Sequence, residues 1–271
     1  MTHTWNTETV DSQEKAFDVI QELVAKRWLC RGQSNVEHRL EPSIDRGKLK
    51  EMPRAQKIQL ERKSIEILRS TARFFSSAGE QGALSDDIIA LMVLRHYGVP
   101  TRLLDWSLSP FVATFFAVCG NAESNGAIWT FNEPLYEKEG KGQWQRWPET
   151  TRDGSGDPDK FDAKLTAFAL DDPPDWFCCG FYKEGFPRQN AQAGAYTMTA
   201  RFDCDHADAI ANLLPSRSDF KLYVIEAGIK ESLRKGLQEK YGIWRGALFP
   251  DTAGAACTAH GVFYEWEAGV L

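Results

Sequence analysis

The stretch "LMVLRHYGVPTRLLDWSLSPFVATFFAV", residues 91–118, is the part of the chain from which its organisation is best predicted. Its apolar helical pattern stops at Gly98, Pro100 follows, and a second apolar run comes later. Between the two runs lie residues 101–107, which are rich in hydrogen-bonding groups. So many polar and aromatic groups at a turn between apolar elements indicate either an elaborate helix cap or the floor of a pocket.

The local chemistry of this turn predicts a strand that ends at a pocket. Pro100 favours extended backbone in its neighbourhood, so the chain from Thr101 onward is predicted to be a strand with alternating side chains. Thr101 and Asp105 then face one cavity, while Arg102 and Trp106 lie on the opposite face. The serines that follow, at 107 and 109, precede an apolar run with a proline in its first turn and favour a helix cap.

The rest of the chain predicts an α+β fold in a single domain over residues 1–271. Helices are predicted at 11–27, 54–76, 85–98 (with Ser85 as cap), 109–120 and 229–242, and strands at 28–31, 126–132, 193–200 and 221–228. Helices are therefore concentrated in the first half and strands in the second. Residues 137–160 are rich in glycine, proline and charge and predict a mobile loop, either a substrate lid or a disordered segment.

Composition excludes several classes of protein. A net charge of −6 gives no general attraction to nucleic acid, although it does not exclude a local basic groove. The cysteines stand at 30, 119, 178, 179, 204 and 257 without a C-x-x-C pair, and the histidines have no metal spacing. We expect no metal, free thiols, no membrane partner and a cytoplasmic location, since neither a signal peptide nor a long apolar span is visible.

Four motifs carry a resemblance to a known family. They are "WLCRGQ" (28–33), "LEPSIDR" (40–46), "RHYGVPTRLLDWSLSPFVATFFA" (95–117) and "RQNAQAGAYT" (188–197). Together they resemble the FRG domain over residues 28 to about 200. The chain differs from the usual pattern at Arg95, where glutamine is common, and at Ser107, where threonine is commoner. Both changes fall in the expected pocket.

A second resemblance is one of motif order, to ADP-ribosyltransferases of the Arg-Ser-Glu type. The corresponding segments are Arg31-Gly32, Asp105-Trp106-Ser107, residues 113–117 and Gln192-Ala193-Gly194. The resemblance implies a helix-rich N-terminal half packed on a mixed, split sheet. It also implies NAD as substrate and a macromolecular acceptor, either protein or RNA/DNA. The role would be that of a toxin or phage-defence effector with an antitoxin as a possible partner.

The candidate site residues follow from this chemistry. Predicted catalytic residues are Asp105, Gln192 and His96; predicted cofactor-binding residues are Arg31, Gly32, Gln33, Tyr97, Thr101, Arg102, Trp106, Ser107 and Arg188. Arg31 on a strand suits a bidentate contact to phosphate or ribose, with Gly32 permitting close backbone approach. Structural alternatives stay open: an Arg31–Asp105 pair, a structural His96, core packing of Trp106 and capping by Ser107.

The enzyme hypothesis lacks a general base at Gln192, because an amide cannot accept a proton at neutral pH. Glu265, Glu267 and Glu184 are the alternative carboxylates. A glutamate within reach of the cavity of Arg31 and Asp105 would favour transfer, and its absence would favour a non-catalytic nucleotide-binding module. A third hypothesis is a metal-independent, nuclease-like hydrolase that acts through His96 and Asp105.

Overall fold

A computed structural model describes residues 5–74, 81–82, 84–134, 177–180, 186–214, 216–251, 254–256 and 259, and its strands form one open, mixed sheet. The strands are β1 (Asn6–Val10), β2 (Leu29–Gln33), β3 (Leu104–Ser107), β4 (Gly126–Phe131), β5 (Phe177–Gly180), β6 (Gly194–Thr199) and β7 (Phe220–Ile225). Their order is β1-β7-β4-β2-β3-β6-β5. β1 and β7 are parallel, and every other pair is antiparallel.

Helices cover the sheet on both faces. They are α1 (Gln13–Lys26), α2 (Arg54–Ala72), α3 (Asp87–His96), α4 (Pro110–Val118), α5 (Pro187–Ala191), α6 (His206–Leu213), α7 (Lys230–Tyr241) and α8 (Arg245–Leu248). Apolar residues of α1, α4 and α7 form one buried cluster with β2, β4 and β7, and α6 packs into a cluster with Trp106 and Phe131. The predicted α+β class is confirmed.

Helix caps explain why several boundaries were predicted closely. Ser12 accepts a hydrogen bond from the backbone of Lys15 at the start of α1, and Ser109 caps α4. The cap of α3 is Asp86, which accepts from two backbone amides, so the predicted Ser85 cap is wrong. Gly98 follows α3 with a φ of 85°, as a helix-terminating glycine should.

Five elements were missed by the sequence analysis: β1, β5, α6 and the short helices α5 and α8. The edge strand β1 is largely polar and exposed, so it has no apolar alternation to detect. β5 has only four residues, and α6 begins within a segment, "CDHADA", that has the composition of a polar turn. In the structure Asp205 of that segment caps α6 by accepting from the backbone of Ala207.

The buried side of α2 carries charged side chains. Lys57 and Glu61 are buried together with the apolar Ile65. The Lys57 ammonium lies 2.8 Å from Asp45 Oδ1, and Glu61 accepts from the guanidinium Nε of Arg102 at 2.7 Å. Buried charges need such partners. The partners are distant in sequence, so helical periodicity alone could not reveal this face.

Gly32 continues strand β2 instead of breaking it. It pairs with Ile128 of β4, and a Cβ added to it would lie 1.8 Å from the carbonyl oxygen of Ala113 and 2.7 Å from the nitrogen of Ala117. The backbone of α4 therefore occupies the space that a side chain would need. The expected close approach is real, but it is made by a helix of the protein.

We predict that Gly32→Ala destabilises the fold by about 3 kcal/mol, because rigid backbone atoms of α4 must move. Chemical denaturation followed by circular dichroism measures this free energy of unfolding. Gly228→Ala is the matched control, since nothing lies within 4 Å of the Cβ it would add. Equal stability of the two variants would contradict the close packing of α4 on β2.

Candidate functional site

A cavity of about 430 Å³ opens where β2 and β3 diverge. The two strands are paired only at Cys30 and Ser107, so their remaining residues leave a gap within the sheet. Nine of the twelve candidate residues line the cavity: Arg31, Gly32, His96, Tyr97, Asp105, Trp106, Ser107, Arg188 and Gln192. The other lining residues are Cys30, Arg95, Gly98, Val112, Ala113, Phe116 and Phe249. The end of α3, the strands β2 and β3 and the helix α4 thus supply most of the wall.

An ion pair between Arg95 and Asp105 fixes the floor of this cavity. The Arg95 Nε donates to Asp105 Oδ2 at 2.7 Å, and Arg95 Nη2 lies 2.5 Å from the same oxygen. Arg95 Nη1 donates to the hydroxyl of Ser43 at 3.1 Å. Every nitrogen of the guanidinium group is therefore engaged, which holds Asp105 in one orientation.

Arg31 reaches across the gap between the strands. Its Nη1 donates to the backbone carbonyl of Asp105 and lies 3.8 Å from Asp105 Oδ2. Its Nε is buried without a hydrogen-bond partner in the described part of the chain. The direct salt bridge of Asp105 is thus with Arg95, and the Arg31 guanidinium keeps donor capacity that the protein does not use.

The floor of the cavity carries more positive charge than negative charge. Burial raises the pKa of Asp105, but the Arg95 and Arg31 guanidinium groups outweigh burial and hold that pKa below its usual value. Burial lowers the pKa of Arg31 to about 9, assisted by Arg95 and Arg46 and opposed by Asp105. Both groups are therefore ionised at pH 7, and the floor carries more positive than negative charge.

Arg188 forms the rim of the cavity. Its guanidinium carbon lies 5.1 Å from the ring centre of Tyr97 and 4.9 Å from that of Phe249. Its Nη2 is 2.7 Å from Asp251 Oδ2, and Nη1 donates to the carbonyl of His96 at 2.6 Å. The side chain is thus held between two aromatic rings, and Tyr97 itself remains 63% exposed beside it.

His96 lines the cavity as a neutral imidazole. Burial lowers its pKa to about 4, and the charge of Arg188 acts in the same direction. Its Nε2 is buried and has no hydrogen-bond partner in the described ranges. The ring is therefore uncharged at pH 7 and differs from an ordinary surface histidine.

Gln192 lies at the cavity, but its side-chain amide forms a hydrogen bond within the protein. The amide Nε2 donates to the carbonyl of Leu248 at 3.0 Å. The backbone carbonyl of Gln192 accepts from the hydroxyl of Ser107 at 2.7 Å, and that hydroxyl also accepts from the amide of Ser109. These bonds support the structural interpretation of Ser107, which holds the start of α4.

Two candidate residues do not reach the cavity because the strand begins later than predicted. β3 starts at Leu104, and Thr101 is fully buried with its hydroxyl accepting from the amide of Leu103. Arg102 is buried in a salt bridge with Glu61. The predicted alternation from Thr101 onward is therefore wrong, and neither side chain lines the cavity.

Gln33 also lies outside the cavity. Its Oε1 accepts from the indole Nε1 of Trp129 at 2.8 Å, and its Nε2 donates to the carbonyl of Arg39 at 3.3 Å. The amide is thus used on both sides by the protein. It joins β2 to β4 and to the loop after β2.

Trp106 packs in the core, as its structural alternative predicts. Its ring is buried in edge contact with Phe131, and its Nε1 donates to Thr197 Oγ1 at 2.8 Å. That hydroxyl lies 2.7 Å from Nδ1 of the fully buried His206 and forms a hydrogen bond with it. Burial lowers the pKa of His206 to about 3, and the ring is neutral.

We predict that stability falls as the pH falls from 6.5 to 5. The folded pKa values of His206 and His96 lie below the ordinary value, so the unfolded chain binds protons that the folded chain does not. One such group changes the free energy of unfolding by at most about 1.4 kcal/mol per pH unit. His206→Asn keeps an acceptor for Thr197 and should show a shallower decline, measured by urea denaturation at each pH.

The exposed His38 provides the control for this prediction. His38→Asn should leave the decline with pH unchanged. An identical pH dependence in wild type and His206→Asn would show that His206 is not held neutral by burial.

Sequence analysis placed Arg95 in the expected pocket without giving it a role, and it did not select Phe249 as a site residue. Arg95 precedes His96 directly and lies ten positions before Asp105, a spacing that could have suggested an ion pair across the turn. Phe249 offers no such signal, since only the fold brings it to Arg188. The alternative carboxylates Glu184, Glu265 and Glu267 and the predicted loop 137–160 lie outside the described residues.

Comparison with known families adds one result. The family model of the FRG domain matches residues 26–126. The match covers 101 of the 271 residues, so the FRG domain is supported for this segment of the chain. The match ends earlier than the resemblance to residue 200 suggested, so the FRG domain supplies Arg31, Arg95, His96 and Asp105, while Arg188 comes from beyond it.

Other comparisons give no further relationship. No curated protein and no solved structure matches the chain. Among the described residues, no helix is long and apolar enough to cross a membrane, and no three His, Cys, Asp or Glu side chains are grouped as metal ligands. The likeness to ADP-ribosyltransferases stays a prediction from motif order.

Proposed function

We propose that the cavity beside the FRG-domain residues Arg31 and Asp105 binds a phosphate-bearing nucleotide, with NAD as the first candidate. The observation that carries the proposal is the Arg31 guanidinium, which lines the cavity, stays protonated at pH 7 and, among the described residues, donates only through Nη1. Guanidinium groups are suited to phosphate oxygens. The surrounding Arg95 and Arg188 add positive charge to the same cavity.

The residues at the cavity favour binding over transfer. Asp105 is held by Arg95 and has a lowered pKa, so it is a weak base. The side chain of Gln192 donates to Leu248 and is not available to orient a substrate in this conformation. Among the described cavity residues, the neutral His96 is the other group able to accept a proton. It supports the nuclease-like hydrolase only as a third hypothesis.

ADP-ribosyl transfer to a protein or nucleic-acid acceptor is the second candidate. One observation favours it: three of the four segments that resemble transferase motifs lie on or next to neighbouring strands, β2, β3 and β6. Arg31 lies on the first, Asp105 and Ser107 on the second, and Gln192 precedes the third. Such a transferase would act as a toxin or defence effector.

We predict that Arg31→Met weakens NAD binding about tenfold or more, because a hydrogen bond to a charged group contributes roughly 1.5–3 kcal/mol. Equilibrium dialysis with NAD labelled on its adenylate phosphate measures the dissociation constant. Arg217→Met, at an exposed position, is the matched control and should bind as wild type does. A thermal transition recorded by circular dichroism verifies that each variant folds; equal NAD affinity in folded Arg31→Met would contradict the proposal.

The same label separates binding from transfer. The geometry of the described residues predicts that NAD is recovered intact after incubation with the protein and a cell extract. Release of nicotinamide with label on macromolecules would establish the transferase instead. Removal of that label by protease or by nuclease would then identify the class of acceptor.

A further inference from the structure

One oxygen of Asp105 is left unused by the protein. Its Oδ2 accepts from two nitrogens of Arg95, whereas Oδ1 receives no hydrogen bond in the described part of the chain. The side chain is 39% exposed and lines the cavity. An ionised carboxylate oxygen is a strong acceptor, so Oδ1 offers a place for a ligand group that donates.

A free donor belongs to Arg31, the side chain that bonds to the backbone of Asp105. Arg31 Nη1 is bound to the backbone carbonyl of Asp105, and Nη2 has no partner among the described residues. Nη2 carries two hydrogens, so one can meet the ligand next to Asp105 while the other serves a phosphate oxygen. The two side chains come from adjacent strands and are fixed relative to each other by the bond of Arg31 to Asp105.

The carboxylate limits what can bind at this position. A phosphate group next to Asp105 would be repelled by its charge, whereas a neutral group with both a donor and an acceptor would satisfy both side chains. Two neighbouring hydroxyls fit this requirement: one donates to Asp105 Oδ1, and the oxygen of the other accepts from Arg31 Nη2. In a nucleotide, the vicinal diol of the ribose has this chemistry.

We infer that Asp105 and Arg31 recognise the 2′,3′-diol of a ribose and so select ribonucleotides with both hydroxyls. This inference rests on the proposed nucleotide site and assigns Asp105 a role in specificity. The amide of Gln192, which was predicted to be catalytic, is bound to Leu248 and takes no part in this recognition.

The test compares ADP with 2′,3′-dideoxy-ADP by isothermal titration calorimetry on the wild-type protein. Both probes carry the same phosphates and base, and neither carries a carboxamide, which could otherwise satisfy the same donor and acceptor. We expect ADP to bind at least about tenfold more tightly, as the loss of hydrogen bonds to charged groups requires. Equal affinities would overturn the ribose assignment and leave the nucleotide site intact. Binding of neither probe would overturn the nucleotide site and the ribose assignment with it.

The variant Asp105→Asn tests the residue itself. The amide oxygen should turn toward Arg95, which places the amide nitrogen where the free acceptor was. The preference for ADP over the dideoxy compound should then disappear, and a preserved preference in the folded variant would overturn the assignment. Asp87→Asn is the matched control, because Asp87 is also paired with an arginine, Arg69, and is similarly exposed at 37%. Since the wild-type comparison needs no variant, misfolding of Asp105→Asn would leave the test decisive.

Discussion

The ion pair between Arg95 and Asp105 is the interaction on which the rest of the site depends. It joins the end of α3 to β3, and the contact of Arg95 with Ser43 adds the turn after β2. Without it, the half-buried Asp105 carboxylate would lose part of its hydration with no charge partner in direct contact. With it, one carboxylate oxygen is saturated and the other is free, and the Arg31 guanidinium is held beside them.

A second constraint is the gap between β2 and β3. Strands that share a single residue pair leave backbone groups to be satisfied by side chains, and Arg31 does so by donating to the carbonyl of Asp105. Gly32 lets α4 lie on β2 at this level, so the helix closes one side of the cavity. The cavity is thus a consequence of how the sheet is built, and Arg188 with its two aromatic neighbours forms the rim.

Short sequence patterns predicted much of this arrangement, whereas contacts between residues distant in sequence could not be predicted. The serines before α4 and Gly98 after α3 located the ends of these helices, and Arg31 and Asp105, which the motif order assigns to one site, line the same cavity. The exposed strand β1 lacks any apolar pattern. Arg102 was predicted to bind the cofactor, but it forms a salt bridge with Glu61 on a helix about forty residues away, which no spacing rule encodes. Phe249 is brought to the rim by the fold alone.

Ionisation of Asp105 is the claim to measure first. Carbon-13 NMR of labelled aspartate side chains, assigned with Asp105→Asn, gives the pKa of this carboxyl group directly. The account predicts a pKa below the ordinary aspartate value in wild type. It predicts a marked rise in that pKa in Arg95→Met, because the charge of Arg95 does most to lower the pKa against the effect of burial. A raised pKa in wild type would mean that burial prevails. That result would contradict the account, because a protonated Asp105 is neither the partner of Arg95 nor the proposed acceptor for ribose.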